Sequence, residues 1–422
     1  MKKAITCLLV LLVIFTSFSS FTAFSKTKEP VTISFWFPSA DRLNDEYFNN
    51  AAKEFEKLNP QIKVEVTTVP SAVQDIELKL NAALLGGTFP DVFCAYLNFM
   101  GTRGPKGDFA NLNSYIDKWP ERNDIYESTL NTGKYKNKII GLGFFPAPEI
   151  LTYRKDFFKE AGLDPEKPPR SWEELADYAV KLTKKDSKGN IIRAGFDIPA
   201  INASVFFRPL MKQNGSLVIN EKKGIPAFTD QSSIEAWDFF MKLKNQNVSI
   251  PYDYQKKETI PFVKGISAMS FLQTTQIASM IKEDPAMKES LGFVPVLSRK
   301  QKVDFCGYRL FTIGNSSKHK NESWQFIQFM MSKDQMVKRF KTLNIPVVRK
   351  SLEQEFIAAD PELNKAQIEY IKYGKGAENV PWLTVAIRYL HTAWEEAYSN
   401  KKTSVQALKD AEIRLKKDLA NK

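Results

Sequence analysis

From residue 31 onward the chain alternates between two hydrophobic rhythms. In VTISFWF, Val31, Ile33, Phe35 and Phe37 fall on one side and Thr32, Ser34 and Trp36 on the other. That is the period of a half-buried strand. After a polar turn, Phe48, Ala52, Phe55 and Leu58 recur at helical spacing, and Pro60 ends the run. IKVEVTTV alternates again, ELKLNAALL returns to helical spacing, Gly86-Gly87 stops it, and DVFCAYL predicts a third strand. Strands joined by helices pair in parallel through right-handed crossovers. In such a sheet, ligands meet the loops at the carboxyl ends of the strands. Here those loops are Pro38 to Asp41 and Tyr96 to Phe99.

The middle of the chain is richer in helix. Ser171 to Glu174 and Ser232 to Glu235 both have the form of a capping box. Trp172, Leu175, Tyr178 and Leu182 follow the first, and Ile234, Trp237 and Met241 follow the second; Trp324, Ile327 and Met331 form a third stripe. These aromatics are core candidates. The stretch ILTYRKDFFKEAGL predicts a strand running into a helix that stops at Gly162, with Phe157 and Phe158 inside and Arg154 facing either a hinge or solvent. No internal repeat or low-complexity linker divides the chain, so two lobes would have to exchange the chain more than once.

The first residues change the picture. Lys2 and Lys3 precede an apolar run from Ile5 to Phe15, too short for a comfortable membrane span, and Ala23-Phe24-Ser25 suits a cut before Lys26. A signal peptide over 1–25 is expected, the alternative being an uncleaved anchor. Cys7 lies inside the apolar run with no lipid-attachment pattern after it, so no lipid anchor is expected. The net charge of +12 would permit nucleic-acid binding. The lysines, however, alternate with Glu and Asp as on solvated helix faces, and export argues against that partner. Cys94 and Cys306 remain after cleavage. An oxidising envelope permits a bridge; two buried free thiols are the other reading.

Candidate chemistry is sparse. His319 sits in a polar turn and His391 in a helix, neither beside a nucleophile or acid that would build a triad. No metal-ligand spacing and no phosphate-binding or nucleophile motif occurs. GTRGPKG is glycine-rich, but Pro105 and the lack of a following helical run mark a surface turn. A glycosidase needs only two carboxylates, and nothing marks a pair. No metal, no cofactor and no catalytic group is expected. What stands out is aromatics and amides beside turns: Trp36, Tyr96, Asn98, Gln273, Gln276, Tyr308 and Trp382. Flat rings with directional hydrogen bonders suit a carbon-faced polar ligand such as a sugar.

Seven segments in order carry a family resemblance: VTISFWF, AAKEFEKLNPQIKVEV, LNAALLGGTFPDVF, ILTYRKDFFKEAGLDPEKPPRSWEEL, FVKGISAM, CGYRLFTIGNSSKHKNESWQFIQFM and IPVVRKS. Together they resemble the extracellular solute-binding proteins of ATP-driven importers, in the sugar-binding group that includes maltose-binding proteins. The resemblance implies an α/β, two-lobe periplasmic-binding-protein fold of type II, each lobe a mostly parallel sheet flanked by helices. It implies three hinge crossings: through FFPAPEI, near Phe305 to Arg309, and near Met336 to Lys341. The lobes then take residues 26–145 with 306–338, and 146–305 with 339–422.

The function implied is capture of a carbohydrate in the interlobe cleft by hinge closure and its delivery to a membrane permease. A non-sugar solute such as glycerol phosphate is the second reading and a carbohydrate-active enzyme the third. The protein is expected to be a periplasmic or extracellular monomer. By position the resemblance implies ligand contacts at Trp36, Asp41, Tyr96, Asn98, Glu149, Arg208, Gln273, Gln276, Tyr308, Arg309, Trp382 and Arg388. Trp36 and Trp382 would be stacking platforms, and Asp41, Asn98, Glu149, Gln273 and Gln276 would bond hydroxyls. FLQTTQ lacks the Trp that relatives often carry there, Tyr308 and Arg309 replace small residues, and Arg154 replaces Asn. Arg309 is therefore expected to pair with an anionic group, a uronate or phosphate, which disfavours maltose itself. The layout also makes the third and returning strands neighbours, so a bridge or close thiol contact between Cys94 and Cys306 is expected.

Overall fold

The first strand, β1 (Val31–Pro38), buries Ile33, Phe35 and Phe37 completely, as its alternation requires. The computed structural model describes residues 29–39 and 41–421; the leader expected over 1–25 lies outside them. Asp41 caps α1 (Arg42–Leu58), its carboxylate accepting from the Asn44 amide at 2.8 Å. β2 (Ile62–Val69) pairs with β1 in parallel, α2 (Val73–Leu85) follows, and β3 (Val92–Tyr96) pairs with the other edge of β1, again in parallel. α3 (Asn98–Arg103) and α4 (Glu127–Thr132) lead to β4 (Leu142–Arg154), a strand of 13 residues.

β4 is long because it serves two cores. Phe144 packs in the first with Phe35, Phe37, Phe48, Phe311 and Phe326, and its ring stacks on Phe311 at 3.8 Å. Leu151 and Tyr153 pack in the second with Trp172, Phe207, Trp237 and Trp394. Each fully buried side chain of this size contributes roughly 1.5–3 kcal/mol. α5 (Ser204–Gln213), β5 (Met269–Gln273), α6 (Thr274–Glu283) and β6 (Leu291–Phe293) belong to the second lobe, where β5 and β6 pair antiparallel with β4. The chain returns through β7 (Asp304–Ile313), antiparallel to both β3 and β4. The continuous sheet order is β5-β4-β7-β3-β1-β2. The result is a two-lobe α/β protein whose lobes share two strands.

Three expectations need correction. The second helix predicted to start at Ser232 starts at Gln231, and Asp230 caps it by accepting from the Ser233 amide. The third passage lies later than Met336 to Lys341. α7 (Lys333–Leu343) packs on α1, and Val347, Val348, Leu352 and Phe356 still belong to the first core. The cause is Arg349: fully buried, it reaches Glu121 at 2.6 Å and Asp124 at 3.0 Å and ties IPVVRKS to the first lobe. The chain crosses along α8 (Pro361–Tyr373) and joins the second core at Val380, before α9 (Leu383–Tyr398) and α10 (Ser404–Ala420).

The cysteines are not bridged. β3 and β7 are neighbours, but their register sets Cys94 opposite Phe311, five residues from Cys306, about 17 Å along an extended strand. Both thiols are free and buried, and burial pushes each up to about 12.

The stretch 150–163 forms as read: β4 ends at Arg154, a helix spans Lys155–Glu160, and Gly162 follows at φ +72°. Arg154 turns to neither ligand nor open solvent. It grips Asp156 through Nε and Nη2 at 2.8 and 2.6 Å and lies over the Phe157 ring.

Candidate functional site

A cavity of about 1000 Å³ opens between the lobes. The first lobe contributes α4, with Glu127, Ser128, Asn131 and Thr132, and the hairpin Lys134–Asn137. The second contributes Lys212 at the end of α5, together with Glu221, Lys222 and Gly224. The segment from Lys372 to Trp382 closes one side, and Lys302 stands beside it.

That segment is held by both lobes. Gly374 and Lys375 pair in parallel with Asp304 and Phe305 of β7. Asn379 donates its side-chain amide to the Lys134 carbonyl at 2.5 Å and its main-chain amide to Glu221 at 3.2 Å. Gly101 in α3 must be glycine for this approach, because a Cβ there would sit 2.9 Å from the Val380 oxygen. Beneath the segment, buried Glu378 pairs with both Arg208 and Lys212, the latter at 2.9 Å. Burial pushes the Arg208 pKa down to about 10. Burial, and then Arg208 beside it, lower that of Lys212.

Seven lysines but only two glutamates line the cavity. Lys302 and Lys372 have carboxylate partners in Glu369 and Glu353, and Lys212 shares Glu378 with Arg208. Lys134, Lys136, Lys222 and Lys375 make no ion pair among the described residues. Lys136 also holds a left-handed φ of +53° in its hairpin turn, an uncommon conformation for a residue other than Gly or Asn.

Of the twelve residues expected to touch ligand, Trp382 alone lines this cavity. Tyr308 stands behind α4, its hydroxyl 3.2 Å from that of Thr129. Arg208 lies under the wall, neutralised by Glu378. Asn98 opens α3, one turn before Gly101. Glu149 and Gln273 meet across β4 and β5 at 3.4 Å, and Gln276 spends its side-chain oxygen on the Gln273 amide at 2.8 Å. Burial pushes Glu149 up to about 8, and its second carboxylate oxygen has no hydrogen-bond partner.

The rest are dispersed. Arg309 follows Tyr308 in an alternating strand and so projects from the opposite face, over the rings of Tyr96 and Phe145. Its Nη1 is buried without a partner. Trp36 lies under Lys79 in a separate depression of about 480 Å³ with Asp91 and Ser317. Asp41 is a helix cap. Arg388 is two-thirds exposed beside Asp418, on the outer side of the last two helices. The lysines and Asn379 were not among the expected contacts, since lysines spread along a chain and mixed with Glu and Asp have the pattern of solvated faces. The short GKGAENVPW stretch, rich in glycine and ending at Trp382, was the available signal.

Two α/β lobes joined by repeated passages, with a cavity between them, form the architecture of a two-lobe ligand-binding protein. Comparison with known proteins agrees. The family of bacterial extracellular solute-binding proteins matches residues 39–337, and the chain belongs to that family. The sn-glycerol-3-phosphate-binding periplasmic protein UgpB of Escherichia coli K12 is 24% identical over 414 residues, covering 90% of this chain and 91% of that one. Among solved structures, the sugar-binding protein MalE of Xanthomonas citri superposes with a TM-score of 0.82 at 18% identity, covering 93% of this chain and 98% of its own. The cyclic alpha-maltosyl-1,6-maltose binding protein of Arthrobacter globiformis superposes with a TM-score of 0.80 at 19% identity, over 93% and 100%.

Proposed function

We propose that this protein is the substrate receptor of an ABC importer and captures a carbohydrate between its lobes. The observation that carries this reading is the interlobe cavity, with the half-buried Trp382 indole on its wall and polar groups from both lobes around it. An indole offers a flat apolar face to a sugar ring while amides and charged groups address its hydroxyls. Closure proceeds by hinge bending in the shared strands β4 and β7, a motion for which periplasmic binding proteins are a type case. The closed form then docks on membrane permease subunits, after export by the leader over 1–25, and acts as a monomer. Glu149 and Arg309, each with a buried polar atom lacking a partner, remain candidate contacts at the hinge.

Isothermal calorimetry against neutral and acidic oligosaccharides, polyols and sugar phosphates tests the reading. One-to-one binding without product is expected. Turnover of any oligosaccharide would replace it with the enzyme reading. Binding of glycerol phosphate with no sugar bound would favour the non-sugar solute instead, a reading that the likeness to UgpB supports.

A further inference from the structure

We propose that the cavity selects a negatively charged polyhydroxy ligand, one bearing a carboxylate or phosphate, and that lysines from both lobes hold the charge. This rests on the receptor reading above and names its substrate class.

The lysines are distributed across the gap. Lys134 and Lys136 come from the first lobe's hairpin, Lys212 and Lys222 from the second lobe, and Lys375 from the segment between them. Lys212 is the only one of these five with an ion-pair partner among the described residues, and that partner, Glu378, is shared with Arg208. The two lining glutamates, Glu127 and Glu221, offset only part of the charge of the four unpaired lysines, Lys134, Lys136, Lys222 and Lys375.

Like charges facing one another across a closing gap oppose closure, and a bound anion reverses the sign of that interaction. A neutral sugar supplies no such compensation. The same field raises the on-rate for anions and repels cations. The anion anchor thus moves from Arg309, which lies on the other face of the sheet, to the lysines.

The test uses protein beginning at Lys26. Calorimetric titrations with trigalacturonate, glucose 6-phosphate and sn-glycerol 3-phosphate are set against maltotriose, glucose and glycerol. The uronate and phosphate arms separate the two sources of charge. At least one anion should bind at least tenfold more tightly than its neutral counterpart, and should weaken at least fivefold between 50 and 500 mM salt. K134Q/K222Q should cut that affinity at least tenfold with an unchanged melting temperature. K57Q/K409Q, the same charge change at exposed sites away from the cavity, should not. Equal affinity for the neutral counterpart, salt-independent binding, or no binding by any anion overturns the proposal. Tight, salt-independent binding of a neutral sugar would do so while leaving the carbohydrate-receptor reading intact; no binding by any sugar would sink that reading too.

Discussion

The side-chain amide of Asn379 donates to the main-chain carbonyl of Lys134 across the interlobe cavity, 2.5 Å away. It joins the segment that enters the last helices of the second lobe to a hairpin of the first. One such bond is worth about 0.5–1.5 kcal/mol net. Asn379→Ala should therefore shift the open–closed balance up to about tenfold toward open. Small-angle scattering of the ligand-free protein should show a larger radius of gyration, and an unchanged radius would deny the contact a role in closure.

The Arg208–Glu378–Lys212 cluster is nearly dry. Removing the central carboxylate leaves two cations with no partner in a site that excludes water. Breaking a buried pair in this way costs roughly 3–5 kcal/mol. Glu378→Ala should lower the urea midpoint by that amount of stability, whereas Glu46→Ala, which frees only the exposed Arg42, should lower it by about 1 kcal/mol or less.

Three buried carboxyls near the hinge and second core predict an unusual pH dependence. Burial raises Glu149 to about 8, and Asp197 and Asp304 to about 7. Their folded values exceed their unfolded ones, so the folded state holds more protons across the interval between. Their contribution is fully present below the unfolded carboxylate range and is lost as pH rises through 7 and 8. Stability should fall with rising pH, by up to about 1.4 kcal/mol per pH unit for each group. Glu149→Gln, which keeps a neutral hydrogen-bonding group, should flatten the curve between neutral pH and 8.5 in thermal melts. A curve of wild-type steepness would mean that Glu149 is ionised in the fold.

Trp382 is the aromatic face on the cavity wall. Trp382→Ala should weaken carbohydrate affinity about tenfold, corresponding to roughly 1.4 kcal/mol, with little change in melting temperature because the ring is only half-buried. Trp36→Ala, in its separate depression, should leave affinity unchanged. The reverse outcome would place the ligand at the first strand.

Cys94 and Cys306 are free and inaccessible. A thiol reagent should label neither in the native protein, and both after unfolding, with or without prior reduction. Labelling that required a reductant would restore the bridge that the register of β3 and β7 excludes.

Most of the scaffold follows from local patterns along the chain. Alternation at Val31 to Phe37 and helical spacing at Phe48 to Leu58 specify their elements because burial of one face is a local property of spacing. Ser171 caps its helix because its hydroxyl needs only the amide three residues away, here at 3.1 Å. The seven ordered segments placed the chain in its family.

The remaining features are long-range. Register put Cys94 opposite Phe311, a difference of five residues that no local pattern encodes. Strand parity sent Tyr308 and Arg309 to opposite faces of the sheet. Buried Arg349 carried IPVVRKS into the first lobe and so delayed the last crossing. The lysines around the cavity come from stretches up to 241 residues apart, Lys134 to Lys375. Each looks like an ordinary solvated side chain in its own stretch, and their common charge becomes legible only when the lobes bring them to one rim.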